Sequence, residues 1–485
     1  MVTPGPAAPL RRWLRPDLFL ALAVLALTVP FLREWSTQPA SRYLYTVAVF
    51  EDHSLRLDPY APSLGLDYAI IDGHHYSDKA PYQPMAALPA YGLYRLLGGE
   101  AFSRGVPGVD VNTDADIGLW LVTVWSAAIP GAILIVLLRR HVSRTYPELA
   151  TRVALALVFG TVLLPFSSLL FGHVLAALAG FAAWFLIRRE RPSAPVLVGA
   201  GVLLGAGIGI EYPQVIVAAV IGITAIVVHK TRAAWVAAGG ILGGIPLLAV
   251  NAATFGGPFK TAYQGYLPNF QGTGAFGVYN LVAPIPRQLG LALIGDRGLF
   301  SLTPIMILAV LGSVIAIRRR TPARLDAIVA LVLLVLFLLV STGIDGYGGS
   351  SPGPRYLVPI LPFFVLPLAE AWRRWPPVAT AAAIWSAGWM ILATITDPLY
   401  QREEPAGLLW VRDLLAGETA RSMPGEVFGT IGIAVPVLVA IGCAVAALRS
   451  DRSPPAPATA GPDGAAAEPD DAVDADPDSR DKVAG

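Results

Sequence analysis

Residues 323–341 read ARLDAIVALVLLVLFLLVS, an apolar run whose two charges, Arg324 and Asp326, both stand near its beginning. A helix needs about 20 mostly apolar residues to cross the hydrocarbon core of a bilayer. Similar runs recur along most of the 485-residue chain, which is 55% hydrophobic and 14% charged, whereas soluble proteins carry about 25% charged residues. The composition therefore predicts a multi-pass membrane protein and excludes an ordinary soluble enzyme.

Twelve apolar runs are predicted to cross the membrane. The first follows Arg11, Arg12 and Arg15, so the positive-inside rule places the amino terminus in the cytoplasm. Every second later connection is basic, as in Arg318-Arg319-Arg320, which agrees with alternating helices and two cytoplasmic termini. Arginine outnumbers lysine 31 to 4, a bias typical of GC-rich bacterial genomes, so a bacterial cell membrane is expected. The runs are residues 18–32, 117–138, 151–170, 172–187, 195–210, 213–228, 234–253, 299–317, 323–341, 356–370, 376–395 and 427–448.

The pattern predicts an all-α transmembrane body over residues 1–448, with three long external segments at 33–116, 254–298 and 396–426. Within the first segment, Pro84 to Leu97 is apolar but too short to span upright, so it is predicted to form surface helices. Residues 449–485 are rich in Ala, Pro and Asp and are predicted to form a disordered acidic cytoplasmic tail.

Ionisable residues collect in the outer segments, because a charge at mid-bilayer costs several kcal/mol. The densest group is GHHYSDKAP at residues 73–81, in which Asp78 adjoins Lys79. A carboxylate beside an ammonium at the headgroup level could orient an acceptor and bind a lipid phosphate. The alternative is a solvated ion pair in a surface loop.

Further polar residues at the outer ends of the runs are candidates for the same site. Arg297 and Arg355 lie in glycine- and proline-rich settings where a guanidinium could bind phosphate oxygens, although interfacial arginines also snorkel. His173 and Glu211 occupy external turns, where structural roles stay open and two residues do not define a metal site. The side chains predicted to line a cavity are Tyr76, His173, Glu211, Tyr212, Lys260 and Tyr263.

Several classes of function find no support in the sequence. It contains no P-loop, no Gly-x-Ser-x-Gly elbow, no His-Glu-x-x-His and no dinucleotide-binding motif. A net charge of +1 gives no reason to expect a nucleic-acid partner. No cofactor is predicted; a divalent cation stays possible but is not supported by any ligand spacing.

Several motifs resemble those of the GT-C membrane glycosyltransferases, in the branch that contains the lipid A aminoarabinose transferases and the protein O-mannosyltransferases. Ser41-Arg42-Tyr43, Val49 to Leu55 and Gly73 to Pro81 resemble the first external loop of those enzymes. Two later pieces, Arg297 to Pro304 and Gly353 to Pro359, resemble a poorly characterised bacterial subgroup of the same class.

The resemblance implies a GT-C-like fold and transfer of a sugar from a polyprenyl-phosphate donor to a cell-envelope glycan, lipid or protein on the outer face. By motif, Lys79 would bind the donor phosphate and Asp78 would take the acidic position beside it. Arg297 and Arg355, from the residues themselves, are the further predicted phosphate contacts. Pro39-Ala40 stands where the family has an Asp-Glu pair, which leaves Asp78, Glu51 and Asp52 as candidates for the catalytic base. The alternatives are a transporter or flippase for a lipid-linked glycan, and a non-catalytic relative that binds lipid-linked sugars.

Overall fold

The computed structural model describes residues 10–33, 35–102, 113–264, 285–342, 346–399 and 405–452. The chain is mostly helical, with one two-stranded antiparallel sheet formed by β1 (Tyr68–Ile71) and β2 (His74–Ser77). The α-helices are α1 (Leu10–Thr28), α2 (Thr37–Glu51), α3 (Tyr82–Ala86), α4 (Leu88–Leu96), α5 (Thr113–Thr123), α6 (Ile129–Ser143), α7 (Ala150–Phe159), α8 (Leu163–Phe166), α9 (His173–Ile187), α10 (Ala194–Ile210), α11 (Gln214–His229), α12 (Ala234–Phe255), α13 (Pro286–Ile294), α14 (Ile305–Arg318), α15 (Arg324–Ser341), α16 (Val365–Arg374), α17 (Pro376–Ile395), α18 (Ala406–Ala416), α19 (Met423–Phe428) and α20 (Ala434–Arg452).

Each of the twelve predicted runs contains a helix. Six helical stretches among the described residues are long and apolar enough to cross a membrane, and α9, α10 and α14 are shorter apolar helices. These features describe a multi-pass membrane protein. The count of twelve crossings, the two cytoplasmic termini and the external segments stay predictions, and residues 453–485 of the predicted tail lie outside the described ranges.

The expectation of an all-α chain is corrected within residues 33–116, where β1 and β2 form a hairpin with Tyr68 opposite Ser77 and Ile71 opposite His74. The hairpin turns through Asp72 and Gly73, both with positive φ (50° and 80°). Asp-Gly is a preferred pair for a tight two-residue hairpin turn, because both central residues need positive φ. The dipeptide was visible in the sequence, and the hairpin delivers Asp78 and Lys79 from the end of β2.

The apolar stretch Pro84 to Leu97 folds into most of α3 and all of α4, which pack against α2. The Tyr91 ring lies 5.9 Å from that of Tyr43 and 5.2 Å from that of Phe50, both in edge-to-face contact. Leu96 is 82% exposed, so the far side of α4 presents apolar side chains outward. An apolar outer face is what a helix lying on a membrane surface needs.

Helices α10 and α12 pack closely through glycines. A Cβ added to Gly201 would overlap the carbonyl oxygen of Val236, and one added to Gly239 would overlap that of Val198. Small residues spaced four apart let two membrane helices bring their backbones together. This pair forms the side of the molecule that carries Glu211, at the end of α10.

The Gly239→Ala substitution is expected to lower the thermal unfolding temperature, because the overlap must be relieved by moving one helix. Overpacking typically costs about 1–3 kcal/mol, which outweighs the gain of about 1 kcal/mol in helix propensity. Gly244→Ala on the same helix is the matched control, since its added Cβ meets nothing within 4 Å. The measurement is thermal unfolding in detergent. Equal unfolding temperatures of the two variants would contradict this packing.

Candidate functional site

A cluster of buried charges lies where α2, α3, the β-hairpin and the turn after α10 meet. Arg42 on α2 is 1% exposed. Its Nη2 lies 2.6 Å from Glu211 Oε1, and its Nη1 donates to Gln83 Oε1 at 2.9 Å. A planar guanidinium held by two acceptors is rigidly oriented, so Arg42 ties α2 to α3 and to the turn after α10.

Glu211 is also close to His173, the first residue of α9, whose Nδ1 lies 3.5 Å from Glu211 Oε1. Burial would raise the pKa of Glu211, but Arg42, His173, Lys79 and Arg355 together lower it below its usual range. The carboxylate is therefore ionised. His173 Nε2 is buried without a hydrogen-bond partner in the described part of the chain.

Asp67, Lys79 and Asp78 form the second part of the cluster. Lys79 Nζ lies 2.9 Å from Asp67 Oδ1 and 2.7 Å from Asp78 Oδ2, so one ammonium is shared by two carboxylates. Ser41 Oγ lies 3.3 Å from Asp78 Oδ1 and 2.8 Å from Ser77 Oγ. Asp78 is 2% exposed and Lys79 8% exposed, so solvent scarcely screens these contacts.

The pKa values of Asp78 and Asp67 shift in opposite directions. Burial raises the pKa of Asp78, and Asp67 raises it further, against the opposing effect of Lys79. For Asp67 the effect of burial is outweighed by Lys79 and by hydrogen bonds, and its pKa is lowered. Two carboxylates that share one ammonium cannot both be fully compensated, so Asp78 is the one poised to accept a proton.

Arg355, where the chain enters the helical stretch Arg355–Arg374, stands over two aromatic rings, 5.7 Å from the centroid of Phe171 and 5.3 Å from that of Tyr356. Gly348, at φ +81°, makes room for it, because an added Cβ would lie 2.8 Å from Arg355 Nε. This Nε has no hydrogen-bond partner among the described residues. Arg355 also helps to lower the pKa of Asp67 against the effect of burial, which places its charge beside the cluster.

Arg297 supports the loop that leads into Arg355. Its Nη1 donates to the carbonyl of Ser351 at 2.7 Å, and its guanidinium lies 4.4 Å from the Tyr347 ring. The Tyr347 hydroxyl in turn donates to Asp296 Oδ1 at 2.7 Å. These contacts give Arg297 a part in holding the loop, one step removed from the cluster.

Glu51 and Asp52 lie at the other end of α2. Glu51 Oε1 is 2.7 Å from Arg95 Nε and accepts from the Tyr91 hydroxyl at 3.0 Å, and Asp52 Oδ2 accepts from the Tyr60 hydroxyl at 2.8 Å. Glu51 lies nine residues after Arg42 on α2, which is about 13 Å along the helix axis. The structure thus separates these two acids from Asp78.

The predicted cavity-lining residues divide between the cluster and the surface. Tyr263 packs edge-to-face on Tyr212 at 6.0 Å, and burial followed by the charges of Asp78 and Glu211 raises its pKa, which places it at the cluster. Lys260 is exposed. Tyr76 accepts from Arg56 Nε at 3.3 Å and faces opposite to Ser77, because successive strand residues alternate.

Tyr82 and Gln83 anchor the segment that follows Lys79. The Tyr82 hydroxyl donates to the carbonyl of Gly243 and accepts from the N–H of Leu247, so it is inserted into the hydrogen-bond ladder of α12 next to Pro246. Gln83 Nε2 donates to the carbonyl of Phe171 at 3.0 Å and to Ser126 Oγ at 3.3 Å. Ser126 sits in a π-helical turn between α5 and α6, a feature that often marks functional sites.

An apolar groove of about 480 Å³ runs along α10 and α12 and reaches the edge of the cluster. Tyr212 and Thr261 line its end nearest Glu211 and Tyr263, and the rest is formed by Ile208, Ile241, Ile245 and Leu248 among others. Such a groove can take a hydrocarbon chain.

No three His, Cys, Asp or Glu side chains within the described ranges are arranged to hold a metal ion.

Four members of the cluster were not predicted as catalytic, phosphate-binding or cavity-lining residues: Ser41, Arg42, Asp67 and Gln83. Arg42 belongs to the Ser41-Arg42-Tyr43 motif, and its place next to Tyr43 was the available signal. Asp67 and Gln83 carry no such signal, since only the hairpin and the turn into α3 bring them to the site.

No protein-family profile and no curated protein sequence matches the chain. The solved structures that its fold resembles are GT-C membrane glycosyltransferases, in agreement with the resemblance found in its motifs. The fold is similar to that of ArnT from Cupriavidus metallidurans, a lipid A aminoarabinose transferase, in its crystal structure bound to undecaprenyl phosphate. That likeness has a TM-score of 0.50 and 13% identity, over 92% of this chain and 78% of ArnT. A weaker likeness, with a TM-score of 0.40 and 13% identity over 90% of this chain and 56% of the other, is to the oligosaccharyltransferase of Archaeoglobus fulgidus.

Proposed function

We propose that this chain transfers a sugar from a polyprenyl-phosphate-linked donor to a cell-envelope acceptor on the external face of the membrane. The observation that carries the proposal is the burial of Asp78 between Ser41 and Lys79, with Arg42 and Arg355 in the same cluster. The GT-C fold supports this class of reaction, and the undecaprenyl phosphate in the ArnT crystal structure supports the class of donor.

Asp78 is the proposed general base. It accepts the proton of an acceptor hydroxyl while the oxygen of that hydroxyl forms a bond to the anomeric carbon. The bond between the anomeric carbon and the phosphate oxygen breaks at the same time, and its electron pair leaves with the phosphate. The configuration at carbon inverts. A base works best with a pKa near the operating pH, which the raised pKa of Asp78 favours.

In this proposal, Asp78 takes the place of the Asp-Glu pair that the chain lacks. Pro39, Ala40 and Ser41 are buried in the first turns of α2, where the resemblance to GT-C enzymes implies an Asp-Glu pair. Asp78 reaches Ser41 from the end of the hairpin, so a carboxylate from another segment serves this turn of α2. Glu51 and Asp52 lie too far along the helix to take that role.

Lys79 links two events of the proposed reaction: transfer of the acceptor proton to Asp78 and stabilisation of the departing phosphate. Once Asp78 is protonated, it no longer needs the charge of Lys79, and one N–H of the ammonium becomes available for the departing phosphate. The carboxylate loses one negative charge as the phosphodiester becomes a monoester with one more, so the total charge of the buried site stays constant. A low-dielectric site favours such a step, because a change in net charge would be costly there.

Arg355 is the proposed principal contact of the donor phosphate. Its guanidinium lies against glycine backbone and aromatic rings, with Nε unengaged among the described residues. Guanidinium groups bind phosphate oxygens in a bidentate manner. The apolar groove beside Tyr212 is the proposed place for the polyprenyl chain, and Arg297 holds the loop that positions Arg355.

Arg355→Ala is expected to weaken binding of polyprenyl phosphate by roughly 10- to 100-fold, the loss of about 1.5–3 kcal/mol from a charged hydrogen bond. Binding can be measured on the purified chain in nanodiscs by competition with a fluorescent polyprenyl phosphate. Arg287→Ala, an exposed arginine of α13, is the matched control and should bind as the parent does. If the Arg355→Ala variant and the parent bound polyprenyl phosphate with equal affinity, Arg355 would not be a phosphate contact.

The pH dependence of the transfer rate should shift in opposite directions when the two charged neighbours of Asp78, Lys79 and Asp67, are changed. The base works only when deprotonated, so activity falls as pH falls through the pKa of Asp78. Burial raises this pKa, Lys79 lowers it and Asp67 raises it. Lys79→Gln should therefore shift the acid limb of the rate profile to higher pH, and Asp67→Asn should shift it to lower pH. Asp72→Asn, in the exposed hairpin turn, should leave the limb in place, and parallel shifts in the first two variants would contradict the assignment.

A further inference from the structure

A polar cavity of about 430 Å³ lies between the segment after α1 and the segments that follow α17 and α18. Its walls are joined by backbone hydrogen bonds, from Leu32 to the carbonyl of Arg421 and from Ala420 to the carbonyl of Ile395, each of 2.9 Å. The walls of the cavity are therefore held together by the fold itself. Its polar and aromatic lining includes Arg33, Trp35, Asp397, Asp413, Glu418 and Arg421.

Two of the lining side chains, Arg33 and Trp35, are held in place by hydrogen bonds or by ring stacking. Arg33 donates through Nη2 to Ser168 Oγ at 2.5 Å and to the carbonyl of Thr394 at 2.8 Å, and through Nε to the carbonyl of Ser168 at 3.3 Å. The Trp35 indole donates to the carbonyl of Ser63 and stacks on Phe102 at 5.3 Å. A ligand would therefore meet an indole and a guanidinium that are already fixed in place.

Charge in the cavity favours a ligand that donates hydrogen bonds without being an anion. Among the described residues that line the cavity, three carboxylates face two guanidiniums, and Arg421 already pairs with Glu426 at 2.7 Å. Asp413 Oδ1 is buried without a hydrogen bond in the described part of the chain, and Arg412 Nη2 lies 3.8 Å from it. Hydroxyl groups can donate to these oxygens and accept from Arg33, and neutral hydroxyls carry no charge to desolvate.

The cavity lies close to the buried cluster along two segments. Ser36, at its edge, is five residues from Ser41 of the cluster, or about 8 Å along a helix. Leu169 lines the cavity, and Phe171, whose carbonyl holds Gln83, follows two residues later, at most about 7 Å away along the chain.

We propose that this cavity binds a neutral saccharide, as the acceptor subsite of the transfer proposed above. The inference rests on that proposed function for its role and on the cavity itself for the class of ligand. Hydroxyls of the saccharide would bind Asp413, Glu418 and Arg33, with Trp35 as the apolar wall that sugar rings pack against.

The test uses protection of a thiol placed in the cavity wall. Thr419→Cys is introduced with Cys443→Ser into the full chain in nanodiscs, and its alkylation by a water-soluble maleimide is timed. The probes are the methyl glycosides of glucose, galactose, mannose and arabinose, with choline and inorganic phosphate as the charged alternatives. At least one glycoside should slow alkylation several-fold, and choline and phosphate should have no effect.

Two further variants decide whether the protection belongs to this site. Asp413→Asn combined with Glu418→Gln should abolish it, whereas Glu148→Gln, an exposed carboxylate elsewhere, should keep it. Asp78→Asn should also keep it, because saccharide binding does not require chemistry, so failure of the transfer proposal would leave this result unchanged. Protection by no glycoside, stronger protection by choline or phosphate, or protection that survives the double change would each overturn the proposal.

Discussion

The Asp78→Asn variant is expected to transfer sugar about 10²- to 10⁴-fold more slowly than the parent, the usual contribution of a general base. Asparagine keeps the size of the side chain and can still accept from Ser41, but it cannot take a proton from the acceptor hydroxyl. The rate should be measured with a radiolabelled polyprenyl-phosphate sugar and membranes from source cells that lack their own copy of the chain.

Glu51→Gln is the matched control, because Glu51 is an acidic candidate from the same external segment that lies about 13 Å along α2 from Arg42. Its transfer rate should stay within a few-fold of the parent. If Asp78→Asn kept the parental rate while Glu51→Gln lost it, the base would be misassigned. A parent chain that transferred no sugar from any donor would favour the non-catalytic relative or the lipid-linked glycan transporter.

Arg42→Met is expected to lower the free energy of unfolding by about 3–5 kcal/mol, because removing one partner of a buried ion pair leaves the other charge uncompensated. Glu211 would lose its closest cation, at 2.6 Å, in a site where the side chains are 2% and 14% exposed. Adding Glu211→Gln should recover much of the loss, since it removes the stranded charge. Urea unfolding in mild detergent would measure both effects.

Arg95→Met provides the comparison for this pair. Arg95 also faces a carboxylate of α2, Glu51, at 2.7 Å, but its side chain is 30% exposed. Partly exposed pairs contribute about 1 kcal/mol or less, so the cost should be much smaller. A single Arg42→Met change no more costly than Arg95→Met, or a double variant no more stable than the single one, would argue against a stranded charge at Glu211.

The sequence predicts the helices of this fold well, because membrane-spanning helices must satisfy their backbone hydrogen bonds internally and carry long apolar runs. Every predicted run contains a helix. The burial of Asp78 and Lys79 was not predicted, and it rules out the alternative of a solvated ion pair in a surface loop. The Asp72-Gly73 hairpin is the exception in secondary structure. Its two four-residue strands are shorter than the apolar runs that dominate the pattern. The Asp-Gly pair at its turn is nevertheless typical of a two-residue hairpin turn.

The composition of the cluster was harder to predict, because it depends on contacts between residues far apart in the chain. Arg42 and Glu211 are 169 residues apart, and no local pattern pairs them. Lys79 was expected to face a phosphate, yet the structure places its ammonium between Asp67 and Asp78. Arg297 and Arg355 have similar glycine-rich surroundings in sequence, but only Arg355 lies beside the buried carboxylates, since Arg297 is engaged with Ser351.

The most direct test of the account asks which side of the membrane the hairpin occupies, because an external transfer reaction needs Asp78 outside. In a Cys443→Ser background, Ile70→Cys places one thiol at an exposed hairpin position, and Arg319→Cys places one at the end of α14. A membrane-impermeant maleimide applied to intact cells should label the Ile70→Cys chain at once and the Arg319→Cys chain only after permeabilisation. The reverse pattern would put Asp78 in the cytoplasm and contradict the proposed function.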